Sequence, residues 1–124
     1  MSARIPDPPK IFIVNWFRKD AAGKFLWPGY GENMRVLEWI IRRSTSGAAA
    51  IETPVGWTPR PSDLDLTGLD LAPERLTASL RVDPGEWATE LGTHADWFAK
   101  LGGTVPAALE LQRKLLLTSV EAAG

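Results

Sequence analysis

The chain has 124 residues and a mass of 13.6 kDa, with 44% hydrophobic and 23% charged residues; that is room for at most one domain, and too apolar for a wholly disordered chain. It has no cysteine and one histidine, which excludes a disulfide framework and a thiolate zinc site and leaves a His-containing catalytic dyad poorly supplied. The net charge of −1 divides into +4 over residues 1–60 and −5 over residues 61–124, too weak a basic half for a nucleic-acid footprint, though suited to one small anion.

Residues 1–9 read as a linker or truncated end, because Pro6, Pro8 and Pro9 deny helix and break strand pairing. No apolar signal core lies there, and no apolar run further on approaches the ~18 residues of a membrane span. Lys10–Phe17 (KIFIVNWF) is predicted as a strand, apolar on both faces and therefore in want of neighbours. Asp20-Ala21-Ala22-Gly23 is a turn and Lys24–Trp27 a second short strand, so a hairpin is expected. Pro28–Gly31 is a loop. From Glu32 to about Arg43, Val36, Leu37, Ile40 and Ile41 mark one helical face, Glu38 and Arg42 are spaced i, i+4, and Gly47 is the stop. Ala48–Thr53 is expected as one more strand, followed by a proline-punctuated stretch through Pro61. Asp83-Pro84-Gly85-Glu86 supplies an N-cap, an N1 proline and an N3 acid for a helix running to about Lys100. Thr104-Val105-Pro106 opens another, carrying Leu109, Leu116 and Val120, and the tail from Val120 should fray. The fold class is α+β, a short hairpin core followed by helices. The expected divisions are 1–9, 10–61 (hairpin, loop and helix) and 62–124 (helical segment).

The common catalytic templates are missing. Gly23-Lys24 is followed by Phe25 and lacks the upstream glycine of a phosphate loop, and there is no H-E-x-x-H, EF-hand loop or G-x-S-x-G. His94, near Asp96 on an amphipathic helix, reads as an ordinary surface or packing residue. Asp63, Asp65 and Asp70 read as turn-formers. The concentrated feature is aromatic: of eleven aromatic residues, seven lie between Phe12 and Trp39. Trp16-Phe17-Arg18-Lys19 faces Phe25-Leu26-Trp27-Pro28-Gly29-Tyr30-Gly31-Glu32-Asn33 across the hairpin. Either these rings form a small core, or the glycines flanking Tyr30 present it as a flat face for a planar π-ligand. Physics alone leaves both open. Glu32, in or beside the first helical turn, already complements the helix dipole, so the loop suits an uncharged base better than a phosphate.

The run KIFIVNWFRKDAAGKFLWPGYGENMRVLEW closely resembles the C-terminal part of the GTP-dependent phosphoenolpyruvate carboxykinases. The resemblance is nearly continuous from Pro9 to about Arg43, looser through TPVGWTP and LDLTGLDL, and fades to a helical pattern after Asp83. It implies that Phe17 and Tyr30 sandwich guanine, that Phe25 closes the pocket and that the Asn33 amide reads the base. Trp16, Trp27, Gly29 and Gly31 would then support the pocket. Two positions depart from the common pattern, Tyr30 for phenylalanine and Met34 for serine. The family converts oxaloacetate and GTP to phosphoenolpyruvate, GDP and carbon dioxide, a decarboxylating lyase reaction of gluconeogenesis in the cytoplasm. Its phosphate loop, reactive cysteine, Mn²⁺ ligands, nucleotide-bound Mg²⁺ site and substrate arginines lie upstream of the matched segment.

The resemblance therefore implies a fragment of a larger α/β nucleotide-binding enzyme, with GTP/GDP as ligand and no catalytic or metal-ligating residue on this chain. Its expected partners are a guanine nucleotide and the missing N-terminal part of the enzyme, with neither nucleic acid nor membrane. The alternative is a stand-alone aromatic-pocket module or inactive remnant, and a helical interaction protein built on residues 73–120 is a third reading.

Overall fold

The computed structural model describes Pro6 and residues 8–124, so the expected linker over 1–9 falls largely outside the described residues. The elements are α1 (Asn33–Thr45), the strands β1 (Ile51–Thr53) and β2 (Gly56–Thr58), then α2 (Pro73–Leu80), α3 (Pro84–Leu101) and α4 (Ala107–Glu121). Single 3₁₀ turns cover Tyr30–Glu32, Pro61–Asp63 and Gly102–Thr104. The class is α+β, as expected.

The strand expected over Lys10–Phe17 does not form. The Oδ1 of Asn15 accepts the backbone N–H of Phe17 at 3.0 Å, and this local bond turns the chain at Trp16–Phe17 where a strand would continue. No described segment pairs with residues 10–17. Phe12 and Trp16 pack inward, while Ile11 and Ile13 remain 84% and 88% exposed. The expected hairpin shrinks to one antiparallel bridge, Lys19 with Phe25. Its turn is held by Asp20, whose Oδ1 accepts from the backbone N–H groups of Ala22 and Lys24, both at 2.9 Å.

The third expected strand is shorter than its apolar pattern. Side chains of α1 take the carbonyls it would need: Arg43 Nη1 donates to Ala48 O at 2.9 Å and Trp39 Nε1 to Ala49 O at 3.1 Å. Pairing begins only at Ile51, in the antiparallel register Ile51–Thr58, Glu52–Trp57 and Thr53–Gly56.

The chain divides into two compact units. The first comprises the described residues to Ala50 together with Pro59–Leu80. Its core is Trp27, Trp39, Leu64 and Leu76, with Phe12, Trp16, Val36 and Ile40 packed around it. Phe12 meets Trp39 edge to face, centroids 6.1 Å apart at 87°. Arg35 braces this unit: Nε donates to Glu32 at 2.6 Å, Nη1 to Asp65 O at 2.8 Å and Nη2 to Thr67 O at 3.0 Å. The start of α1 is thereby fixed to the loop that precedes α2.

The second unit comprises Ile51–Thr58 and Arg81–Gly124, centred on the buried Leu91 and Val120. The expected cap of α3 is present, with Asp83 Oδ1 accepting from Glu86 N at 2.9 Å and Pro84 in the first turn. The tail departs from expectation: α4 continues to Glu121, and Val120 is only 1% exposed. Burial of that side chain supplies the packing that a fraying end lacks.

Candidate functional site

One cavity of about 760 Å³ opens on the first unit, lined by the hairpin, the loop after it and the first residue of α1. Trp16, Phe17, Phe25, Trp27, Gly29, Tyr30 and Asn33, all singled out from the sequence, lie around it, while Gly31 does not. Phe17 is 72% exposed, Phe25 46% and Tyr30 91%. These rings are not core. Trp27 is, at 7% exposure, with Trp16 tilted against it at 43° and 6.0 Å. Of the two readings open on composition, the mini-core describes Trp27 and Trp16 and does not extend to Tyr30.

Local bonding explains the presentation. The Asn15 turn swings Phe17 outward to meet Phe25, with centroids 6.1 Å apart at 63°. Lys19 Nζ sits 5.0 Å from the Phe25 centroid, a cation–π contact on the same ring. Gly29 adopts φ +129 and ψ −174, a region essentially reserved for glycine. From it the 3₁₀ turn Tyr30–Glu32 leads into α1, with Glu32 N donating to Gly29 O at 3.1 Å. Gly31 needs no positive φ. Tyr30 is thus held at the backbone while its ring touches little of its own protein.

Asn33 opens α1 and turns its side chain to the cavity wall, where Oδ1 accepts from Trp27 Nε1 at 2.8 Å. Arg75 and Lys24 also line the cavity, and sequence reasoning missed both. Arg75 Nη2 donates to Phe25 O at 2.6 Å across fifty residues of chain, so no local pattern signals it. Lys24 was legible only as a hairpin residue.

Three carboxyls elsewhere are held below their ordinary values. The backbone N–H of Arg60 does this for Asp63, the Thr67 hydroxyl and then its N–H for Asp65, and the Arg113 guanidinium for Glu110. The structure uses Asp63 and Asp65 in turns. His94 is partly exposed and 3.5 Å from Glu90. Among the described residues no three of His, Cys, Asp or Glu converge as a metal-ligand set, and no helix is long and apolar enough to cross a membrane.

The first unit of this α+β chain thus carries an open cleft with exposed rings on its walls and an amide at its edge. The chain belongs to the GTP-dependent phosphoenolpyruvate carboxykinase family: the family model described as "Phosphoenolpyruvate carboxykinase C-terminal P-loop domain" matches residues 1–118. Curated relatives named "Phosphoenolpyruvate carboxykinase [GTP]" include one from Anaeromyxobacter dehalogenans (strain 2CP-C), 58% identical over 123 residues, which are 99% of this chain and 21% of that protein. Another, from Paenarthrobacter aurescens (strain TC1), is 53% identical over 102 residues, 82% of this chain and 17% of that protein. A third, from Corynebacterium efficiens, is 44% identical over 115 residues, 93% of this chain and 19% of that protein. The chain spans about a fifth of the length of these relatives.

Proposed function

We propose that this chain supplies the guanine-binding pocket of a GTP-dependent phosphoenolpyruvate carboxykinase. The observation that carries the reading is the cleft: Phe17, Phe25 and Tyr30 are exposed around one cavity with the Asn33 amide on its wall. A purine is planar, and each ring face stacked on it contributes roughly 1–3 kcal/mol without regard to which purine it is. The rings supply affinity and the amide supplies choice. In the whole reaction oxaloacetate loses carbon dioxide and the resulting enolate oxygen takes the γ-phosphoryl group of GTP, leaving GDP. Phosphoryl transfer depends chiefly on position and charge stabilisation, so anchoring the base far from the reacting phosphorus is a positioning contribution.

The chemistry itself belongs to groups outside this chain. When bound, Mn²⁺ and Mg²⁺ would supply charge neutralisation for the enolate and the phosphates; among the described residues no three of His, Cys, Asp or Glu form a cluster suited to either ion, and the sequence has no phosphate-loop motif. On this reading the chain contributes nucleotide binding, and its partners are the guanine nucleotide and the rest of a cytoplasmic enzyme. The test is nucleotide preference in the protein at its full native length, by calorimetry with GTP, ITP and ATP. Asn33→Ala is expected to narrow the preference for GTP over ATP, and Tyr30→Phe to leave it unchanged. Equal weakening of GTP and ATP by Asn33→Ala makes the amide a structural group and overturns its role as reader.

A further inference from the structure

We infer that Trp27 is a specificity-positioning residue: its indole N–H locks the Asn33 amide in the one sense that favours a 6-oxopurine over a 6-aminopurine. The inference rests on the guanine-pocket reading and goes beyond it, because an asparagine alone does not choose between these bases. A free amide carries one acceptor oxygen and two donor hydrogens and, by turning over, serves guanine or adenine equally well. Something must hold it.

The holding bond is the 2.8 Å contact from Trp27 Nε1 to Asn33 Oδ1. An indole nitrogen only donates, so the amide atom that faces it must be the oxygen. The Nδ2 donors are left for the cavity that both residues line. A 6-oxopurine offers a carbonyl at position 6, which accepts from Nδ2; a 6-aminopurine offers N–H hydrogens there, so donor would meet donor. Flipping the amide to welcome adenine would abandon the indole N–H of a side chain only 7% exposed, and an unpaired buried donor is costly. Trp27 is itself fixed by the core it shares with Trp39, Leu64 and Leu76. The packing of the unit is thereby linked to base choice, with no contact from Trp27's N–H to the base required.

The test compares Kd values for GTP, ITP and ATP in the protein at its full native length. Trp27→Phe keeps a ring in the core and removes the N–H. It is expected to narrow the GTP-over-ATP ratio by roughly three- to tenfold, with ATP binding tighter as well as GTP weaker, and with ITP following GTP. In an Asn33→Ala background the same change should leave the ratio within twofold, since the residue it acts through is gone. Asn33→Asp supplies a second arm independent of how Trp27→Phe folds: it keeps an acceptor for the indole, replaces the cavity-facing donors by an acceptor, and should shift preference towards ATP.

Trp27→Phe weakening all three nucleotides equally, or changing the ratio equally with and without Asn33, overturns the proposal in favour of simple packing. An unchanged preference in Asn33→Asp overturns it too, because the oxygen must then face the base. Absence of purine binding by the unsubstituted protein is the separate failure of the guanine-pocket reading.

Discussion

Replacing Tyr30 by alanine separates binding from folding, because this ring is 91% exposed. A tyrosine has about 200 Å² to bury, so the folded chain covers only some 20 Å² of it. At ~25 cal/mol per Å² the loss to stability is about 0.5 kcal/mol, a shift of roughly 2–4 °C in melting temperature for a unit of this size. One stacking face contributes roughly 1–3 kcal/mol, which is about a 5- to 150-fold rise in Kd for a purine nucleotide. Calorimetric titration with GTP and ITP, paired with a thermal melt on the same preparation, reads both quantities. GTP and ITP should weaken together, since stacking does not see the 2-amino group that distinguishes them. Tyr30→Phe should restore affinity, which assigns the effect to the ring and not the hydroxyl. A melting temperature lowered by more than about 10 °C, or a GTP affinity within twofold of the unsubstituted protein, refutes the argument that the ring is presented for a ligand.

Other consequences concern the core, the exposed apolar residues and the ionised carboxyls. Leu76→Ala removes a side chain 2% exposed between Trp27, Trp39 and Leu64, and should cost about 2–5 kcal/mol in urea unfolding. Because that core seats Trp27, it should also broaden base choice. Ile11→Ser with Ile13→Ser should leave stability within about 0.5 kcal/mol while reducing self-association and apolar-dye binding of the isolated chain, read by sedimentation and fluorescence. Acid should destabilise both units. Asp63, Asp65 and Glu110 have carboxyls held below their ordinary values of 3.8, 3.8 and 4.5, so their stabilisation is complete above those values. It is lost as pH falls through the lower folded ones. Denaturation midpoints should be flat above about pH 5.5 and decline below about pH 4.5, and Asp63→Asn should flatten part of that decline.

Where the sequence was legible, the deciding interactions were short in range. Asp83, Pro84 and Glu86 announce α3 because cap, first turn and N3 acid are neighbours in the chain. The expected strands fail where a side chain competes with the sheet for backbone groups. Asn15 takes the Phe17 N–H two residues on, and Arg43 and Trp39 take the carbonyls of Ala48 and Ala49. Hydrophobic pattern registers none of these bonds, because it weighs burial and not the competition for donors and acceptors. The same limit governs the candidate site. Its rings stand out as a cluster within one short stretch, and the family resemblance attaches roles to them. Arg75 is invisible by either route, since its tie to Phe25 O closes a separation of fifty residues. Between these extremes lies the pair Trp27 and Asn33. They are six residues apart, a spacing that fits neither a helix turn nor a strand pair, and the loop between them passes through Gly29, whose backbone conformation other residues avoid. A substitution at Gly29 would therefore act in two steps, first on the path of the loop and then on the orientation of the Asn33 amide. No Cβ clash would give warning of it, because the space around that glycine is open.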